Sequence, residues 1–225
     1  MLRPGKDKGI ANPIPLGLAG LASTTFLMGV AIILQSPLGW TPYMVHAVML
    51  GGGAEFIAGM WAFAYGDPMA ATTFSFLGAF CGWWGVTHWA LRGAGAALMT
   101  TSAPSIGLAF IVTGVVVLYL WVASFYEFAA FNLTLLFLWI AYGLIGLGIS
   151  LGVPVLSMIG GISAIVSSII GAYCSFAEVY NETSMAEVVP VGESSEVRDR
   201  VARDENERIR RVTANGLHQP SEAGV

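Results

Sequence analysis

Long apolar runs broken by short polar or glycine- and proline-bearing turns make up most of the chain. Six can be marked, at about residues 16–35, 43–65, 69–91, 104–125, 131–150 and 154–177. The breaks fall at Ser36-Pro37-Leu38-Gly39, Gly66-Asp67-Pro68, Arg92-Gly93 to Pro104, Tyr126-Glu127 and Gly152-Val153-Pro154. Each carries the glycine, proline or charge that ends a helix and turns the backbone. The first run, Leu16 to Gln35, is twenty residues without a charge. At about 1.5 Å per residue it reaches roughly 30 Å, the thickness of a bilayer's hydrocarbon core. It is introduced by Asn12-Pro13-Ile14-Pro15, whose two prolines forbid a helix before Pro15 and allow one to start there, because proline's missing N–H would be unpaired in a first turn anyway. The pattern predicts an all-α integral membrane protein with six transmembrane helices.

Charge sharpens this picture. Charged residues make up 11% of the chain, where a soluble domain carries about 25%. Of ten Lys and Arg, only Arg92 lies between residues 9 and 197. Six crossings put both ends on one side, so Arg3, Lys6, Lys8 and the six C-terminal arginines share a compartment. The excess of basic residues makes that compartment the cytoplasm. A multi-pass protein of the plasma (inner) membrane with both termini cytoplasmic is expected. It divides into an N-terminal tail (1–11), a transmembrane domain (12–182) and a charged tail (183–225). The first apolar run is too long for a cleaved signal peptide. Trp40, Tyr43, Trp61, Tyr65, Trp89 and Tyr126 stand near segment ends, as an aromatic belt at the headgroups would require. Cys81 and Cys174 lie inside apolar runs, as buried free thiols rather than a disulfide or metal pair.

Finer patterns add detail. Leu16-Gly17-Leu18-Ala19 is echoed by Ile106-Gly107-Leu108-Ala109, and Gly78-Ala79-Phe80-Cys81 by Gly171-Ala172-Tyr173-Cys174, at offsets of 90 and 93 residues. Three helices per unit would invert the second copy and give two inverted repeats, the plan of many transporters; chance matching in a glycine-rich chain is the alternative. Gly160, Ala164, Ser167, Gly171 and Ser175 form a stripe of small residues, which serves either close helix packing or a narrow pore wall. Beyond residue 183 the pairs Glu196–Arg200, Asp199–Arg203, Asp204–Arg208 and Glu207–Arg211 recur at helical spacing, which favours a solvated helix.

Few residues within the apolar runs can carry chemistry. Glu55 stands in Gly51-Gly52-Gly53-Ala54-Glu55, well inside the second run. A carboxyl at that depth is costly and marks either a protonatable group on a solute path or a helix-to-helix hydrogen bond. His46 and His88 lie near segment ends and read as interfacial polar residues, Arg92 and Glu178 as interfacial caps, and Asp67 as a turn residue. Gly148-Ile149-Ser150-Leu151-Gly152 matches a nucleophile-elbow spacing, but it ends an apolar helix, where the motif needs a strand-to-helix turn. No catalytic set, cofactor motif, metal motif or nucleic-acid-binding pattern assembles, so an enzyme is not expected and a transport path is favoured by elimination. With so few cations inside, an anion would have to cross neutral or with a proton, or be met by helix N-termini and neutral polar groups. Asn12, Thr24 and Thr25 suit that last role.

Several segments together resemble one known family. Asn12-Pro13-Ile14-Pro15-Leu16-Gly17-Leu18 looks like the signature of the acetate uptake transporters, the family of bacterial succinate–acetate permeases and fungal acetate and ammonia-export proteins. Gly52-Gly53-Ala54-Glu55-Phe56-Ile57-Ala58-Gly59-Met60-Trp61, Gly66-Asp67-Pro68 through Thr73-Phe74-Ser75-Phe76-Leu77-Gly78, and Ala177-Glu178-Val179-Tyr180-Asn181-Glu182 with Val189-Pro190-Val191-Gly192 resemble its later motifs in order. The resemblance implies six transmembrane helices, a homo-hexamer with one pore per protomer, and passage of small monocarboxylates such as acetate, often with protons, and in some members succinate. The family's constriction, usually a Phe, a Tyr and a Leu, maps onto Leu21, Leu77 and Leu138, so two aromatics would be leucines here. Glu55 stands where the family commonly has Gln, and Asp67-Pro68 replaces a usual Asn-Thr pair. The expected partners are therefore a small carboxylate solute, protons, the lipid bilayer and further copies of the chain, with no cofactor. Two alternatives stay open: a channel for neutral solutes such as ammonia or undissociated acids, and a membrane sensor or scaffold acting through the charged tail.

Overall fold

In the computed structural model of the chain, the described residues are 9–34, 40–94, 96–186 and 188–192, with Arg203, Asn206, Glu207 and Arg210 of the tail. Within them the protein is built from helices. They are α1 (Ile14–Leu34), α2 (Trp40–His46), α3 (Phe56–Tyr65), α4 (Pro68–Ala94), α5 (Ala96–Ala123), α6 (Ala129–Leu151) and α7 (Pro154–Ser184). A π-helix, Ala47–Glu55, joins α2 to α3 without a break in helical backbone, so the three make one rod. Six rods result, as the apolar pattern predicts. Five spans are long and apolar enough to cross a membrane; α4 is 27 residues long, but its Thr, Gly, His and Arg residues dilute its apolar character.

The rods close into a ring. α1 packs on α7, α7 on α6, α6 on α5, α5 on α4, α4 on the α2–π–α3 rod, and that rod on α1. Small residues make the closest crossings. A Cβ on Gly52 would lie 2.7 Å from the Gly82 Cα, so the π-helix and α4 touch backbone to backbone only because both positions lack a side chain. The stripe on α7 is used for packing. Gly160 lies against Ala141 and Ile145 of α6, Gly171 against Thr134 and Ala22. Ser163 and Ser167 donate to the Phe137 and Thr134 carbonyls, each at 2.8 Å, and Ser175 to the Pro15 carbonyl at 2.8 Å. The outer faces stay apolar and exposed, among them Phe63, Val115, Leu133, Ile162 and Phe176. Such a continuous apolar exterior suits lipid and not water.

Three expectations change. Arg92-Gly93 to Pro104 was expected as a break, yet α4 runs to Ala94 and α5 begins at Ala96 with Pro104 inside it. Ala96, Ala97, Leu98 and Met99 are strong helix formers that start the helix a full two turns before the proline. Tyr43 and Tyr65 are buried in the ring and leave the belt to Trp61, Trp89 and Tyr126, which are exposed. Third, residues beyond 182 are not uniformly free: Asn181 accepts from the N–H groups of Val188 (2.9 Å) and Val189 (2.8 Å) and donates to the Val189 carbonyl at 2.8 Å. The strap so formed reaches α6, where the Ala129 and Ala130 N–H groups donate to the carbonyls of Gly192 (2.7 Å) and Val191 (3.2 Å). It satisfies donors that a helix N-terminus otherwise leaves orphaned. Residues 1–8, Trp40's side chain and that of Arg92, and at least one partner in each proposed tail ion pair lie outside the described residues; Arg203, Asn206, Glu207 and Arg210 are helical.

Candidate functional site

The axis of the ring is filled by side chains from alternate rods. On α4 the inward stripe is Ala70, Phe74, Leu77, Cys81, Trp84 and His88, all buried, at the alternating four- and three-residue spacing of one helix face. α1 supplies Leu18, Leu21, Thr24, Thr25 and Met28, and α6 supplies Phe131, Leu135, Leu138, Tyr142 and Ile145, again all buried. Rods joined by short turns alternate in direction, so α1, α4 and α6 run the same way and their stripes form successive layers.

The first layer is a mouth. A cavity of about 20 Å³ is lined there by Ile14, Leu18, Asp67, Phe74, Phe131 and Glu178 among others. Asn12 sits at its edge. Its Oδ1 accepts from the Ile14 N–H at 3.0 Å, which starts α1, and its Nδ2 donates to Glu178 Oε2 at 3.2 Å and Glu182 Oε1 at 2.9 Å. Asp67 caps α4 by accepting from the Ala70 N–H at 2.9 Å, a stronger role than a simple turn. Glu178, expected as an interfacial cap, is instead only 2% exposed, because the mouth is roofed by the strap residue Val191.

Leu21, Leu77 and Leu138 continue the inward stripes of α1, α4 and α6, none more than 1% exposed. Glu55 enters beside them. A Cβ on Gly20 would come within 2.9 Å of the Glu55 Cβ, so glycine at position 20 is what lets the carboxylic residue approach α1. One turn further along lie Thr24 and Thr25, Cys81 and Phe80, and Tyr142. Gly51 of the π-helix faces both Thr24 and Cys81. The Glu55 carboxyl is an electrostatic neighbour of Cys81 and of Tyr142, whose hydroxyl faces Thr25 outside hydrogen-bond geometry.

The chemistry of this level lies in its unmatched polar atoms. Thr24 Oγ1, Thr25 Oγ1, both Glu55 carboxyl oxygens and Tyr142 Oη are buried without a hydrogen-bond partner among the described residues. A buried polar group left so costs about 1–3 kcal/mol, and native interiors keep few of them. Here five atoms from three rods converge on one level. They offer hydroxyl donors and a carboxyl to a small polar guest in otherwise apolar surroundings. The described residues hold no Lys or Arg side chain at this level.

Of the residues expected on a solute path, Thr24, Thr25 and Glu55 are thus brought together, and Asn12 stands apart at the mouth. Phe80, Phe110, Trp84 and Tyr142 are added by the structure. For Tyr142 a signal existed in its four-residue spacing from Leu138; for Phe110, inside an unbroken apolar run, none did. His88, expected at an interface, is 7% exposed, with its ring 3.5 Å from that of Trp84 and its Nδ1 3.2 Å from the Trp84 carbonyl. His46 faces an open groove of about 710 Å³ on the flank of the ring, with Ala19, Phe26, Ser168 and Phe176.

Comparison with known proteins gives a consistent picture. A family model described as the GPR1/FUN34/yaaH family matches residues 1–193. The chain is 28% identical over 193 residues to the succinate-acetate/proton symporter SatP of Escherichia coli K12, covering 82% of this chain and 97% of that protein. It is 36% identical over 85 residues to acetate permease A of Emericella nidulans, covering 35% of this chain and 28% of the relative. Among solved structures, that of the bacterial acetate channel SatP superposes with a TM-score of 0.73 at 23% identity, over 81% of this chain and 99% of that one.

Proposed function

From the premise that the chain belongs to the GPR1/FUN34/yaaH family, we propose that it is a membrane transporter or channel for small monocarboxylates such as acetate, linked to protons, with succinate a larger candidate solute. The observation that carries this reading is the convergence of Thr24, Thr25, Glu55 and Tyr142 polar atoms on the axis. A monocarboxylic acid has one polar end to pair with those groups and one small apolar end to slide past Leu21, Leu77 and Leu138. A bare carboxylate would meet the Glu55 carboxyl in low dielectric with no neighbouring Lys or Arg among the described residues, which costs several kcal/mol. The protonated acid pairs with it instead, and that makes the flux proton-linked. The names of the relatives, a succinate-acetate/proton symporter and an acetate permease, support the same solute class.

In this reading the protein sits in the plasma (inner) membrane with both termini in the cytoplasm and assembles as a homo-hexamer, each protomer holding its own path. The apolar groove beside His46 gives a neighbouring copy a flank to seat on. Purified protein in vesicles, with labelled acetate and an imposed pH gradient, tests the function. Uptake above that of protein-free vesicles is expected. It should rise as the outer pH falls toward the ordinary carboxylic range near pH 4, because the neutral acid becomes commoner. Uptake equal to protein-free vesicles at every pH overturns the reading. A second reading, a channel for neutral solutes including ammonia, is favoured by the same lack of a neighbouring Lys or Arg among the described residues. Flux that follows the neutral species alone and ignores the membrane potential would select it.

A further inference from the structure

Next along α4 and α6 from Leu77 and Leu138, three rings cross the axis. Phe80 of α4, Phe110 of α5 and Tyr142 of α6 meet pairwise, with centroids 5.1 Å apart for Phe80–Phe110, 5.2 Å for Phe80–Tyr142 and 5.7 Å for Phe110–Tyr142. Phe110 and Tyr142 are fully buried and Phe80 is 8% exposed. Trp84 backs them edge-on, 4.8 Å from Phe110. α4 and α6 are not ring neighbours and pack little backbone together, so these side chains, and not the helices, hold the axis shut at this level. A closure made of side chains can open by a change of rotamer, without moving a rod. At the level of the rings stand the unmatched atoms of Thr24, Thr25 and Glu55. The Tyr142 hydroxyl, itself buried and unmatched, faces Thr25.

We propose that Phe80, Phe110 and Tyr142 form the gate of the path and set its size limit, and that the Tyr142 hydroxyl hydrogen-bonds the carboxyl of the passing acid. This rests on the monocarboxylate reading and deepens it. The leucines at positions 21, 77 and 138 then act as a greasy approach, and selectivity lies one turn further on. The two functions of the gate separate by residue. Phe110 contributes only bulk, so its loss widens the path. Tyr142 contributes bulk and a donor, so removing the donor alone weakens binding without widening anything.

The test uses the full-length protein in vesicles, with labelled acetate and competition by propionate, butyrate and lactate. Tyr142→Phe should raise the KM for acetate about tenfold, the worth of one hydrogen bond in a dry site, with the order of competing acids unchanged. Phe110→Ala should raise butyrate flux relative to acetate several-fold, about what a few methylenes discriminate. Leu77→Ala should leave that ratio as it is. A KM unmoved by Tyr142→Phe removes the hydroxyl from the site. A size limit that shifts with Leu77→Ala and ignores Phe110→Ala places the gate at the leucines and overturns the proposal. A readout without acetate keeps the gate separate from the transport reading. In a Cys174→Ser background, labelling of Cys81, beside the rings, by a small charged thiol reagent should be slow and should quicken several-fold in Phe110→Ala. If acetate is not carried but Cys81 opens this way, the gate stands and the solute class falls. Labelling that Phe110→Ala leaves unchanged rejects the gate.

Discussion

At the scale of single residues, Glu55 carries the sharpest consequence. Its side chain is fully buried, both oxygens are unmatched among the described residues, and glycine at position 20 makes room for it. No helix-to-helix hydrogen bond, the ordinary reason for a buried carboxyl, is made to it among the described residues. Glu55→Gln keeps the volume and one acceptor but cannot exchange a proton. Proton-linked acetate uptake in vesicles should fall about tenfold, equivalent to roughly 1.4 kcal/mol at the barrier, and the rise of rate with acidity should flatten. An unchanged rate with an unchanged pH profile would show that Glu55 is a bystander. Asn12, by contrast, has its amide engaged by Glu178 and Glu182 at the mouth.

At the scale of elements, the π-helix Ala47–Glu55 is the piece that sequence patterning missed. A π-helix is wider than an α-helix and uncommon beyond a single turn; such segments recur at functional sites. Three consecutive glycines lower the barrier to this geometry and remove the side chains that would hold α4 away. The element delivers Gly51 against Thr24 and Cys81 and ends on Glu55, at the axis. Gly52→Val would push a side chain into the Gly82 backbone, which cannot yield as a side chain can, and should cost about 1–3 kcal/mol, read as a lower unfolding temperature in detergent. Gly53→Ala is the control, since its Cβ would meet nothing nearer than the Val48 carbonyl at 3.6 Å. Equal losses in both variants would show that the crossing is not what the glycines serve.

At the scale of the whole molecule, the ring of six rods explains how an almost uniformly apolar chain can hold a polar level at all. The rods shield it from lipid on every side, and the strap over α6 ties the end of α7 to the mouth. The charged tail begins beyond that strap. A transporter keeps its flux when residues 193–225 are removed, because every layer of the axis and the strap stay intact; the rate should remain within about twofold, as removal of a peripheral terminus allows. A sensor or scaffold acting through the tail loses its function in the same experiment. Cutting at residue 183 is a poorer test, since it also removes the hydrogen bonds that the α6 N-terminus draws from Val191 and Gly192.

Residue type alone determined that the chain is a bundle of long apolar helices suited to a membrane, where most of its turns fall and which family it resembles. Partition between lipid and water is a local, additive property of side chains, and motifs such as Asn12 to Leu18 are contiguous. It also singled out Glu55, because a carboxyl in an apolar run is conspicuous without any partner. What it left open was the inward face of each rod. A helix that is apolar all round gives its periodicity no phase, so Phe110 looked no different from the aromatic residues that face lipid. Tyr43 and Tyr65 passed for belt residues for the same reason. Only the closing of the ring decided which side chains meet, because that choice depends on contacts between residues tens of positions apart, and it is those contacts that set Thr25, Glu55 and Tyr142 around one axis.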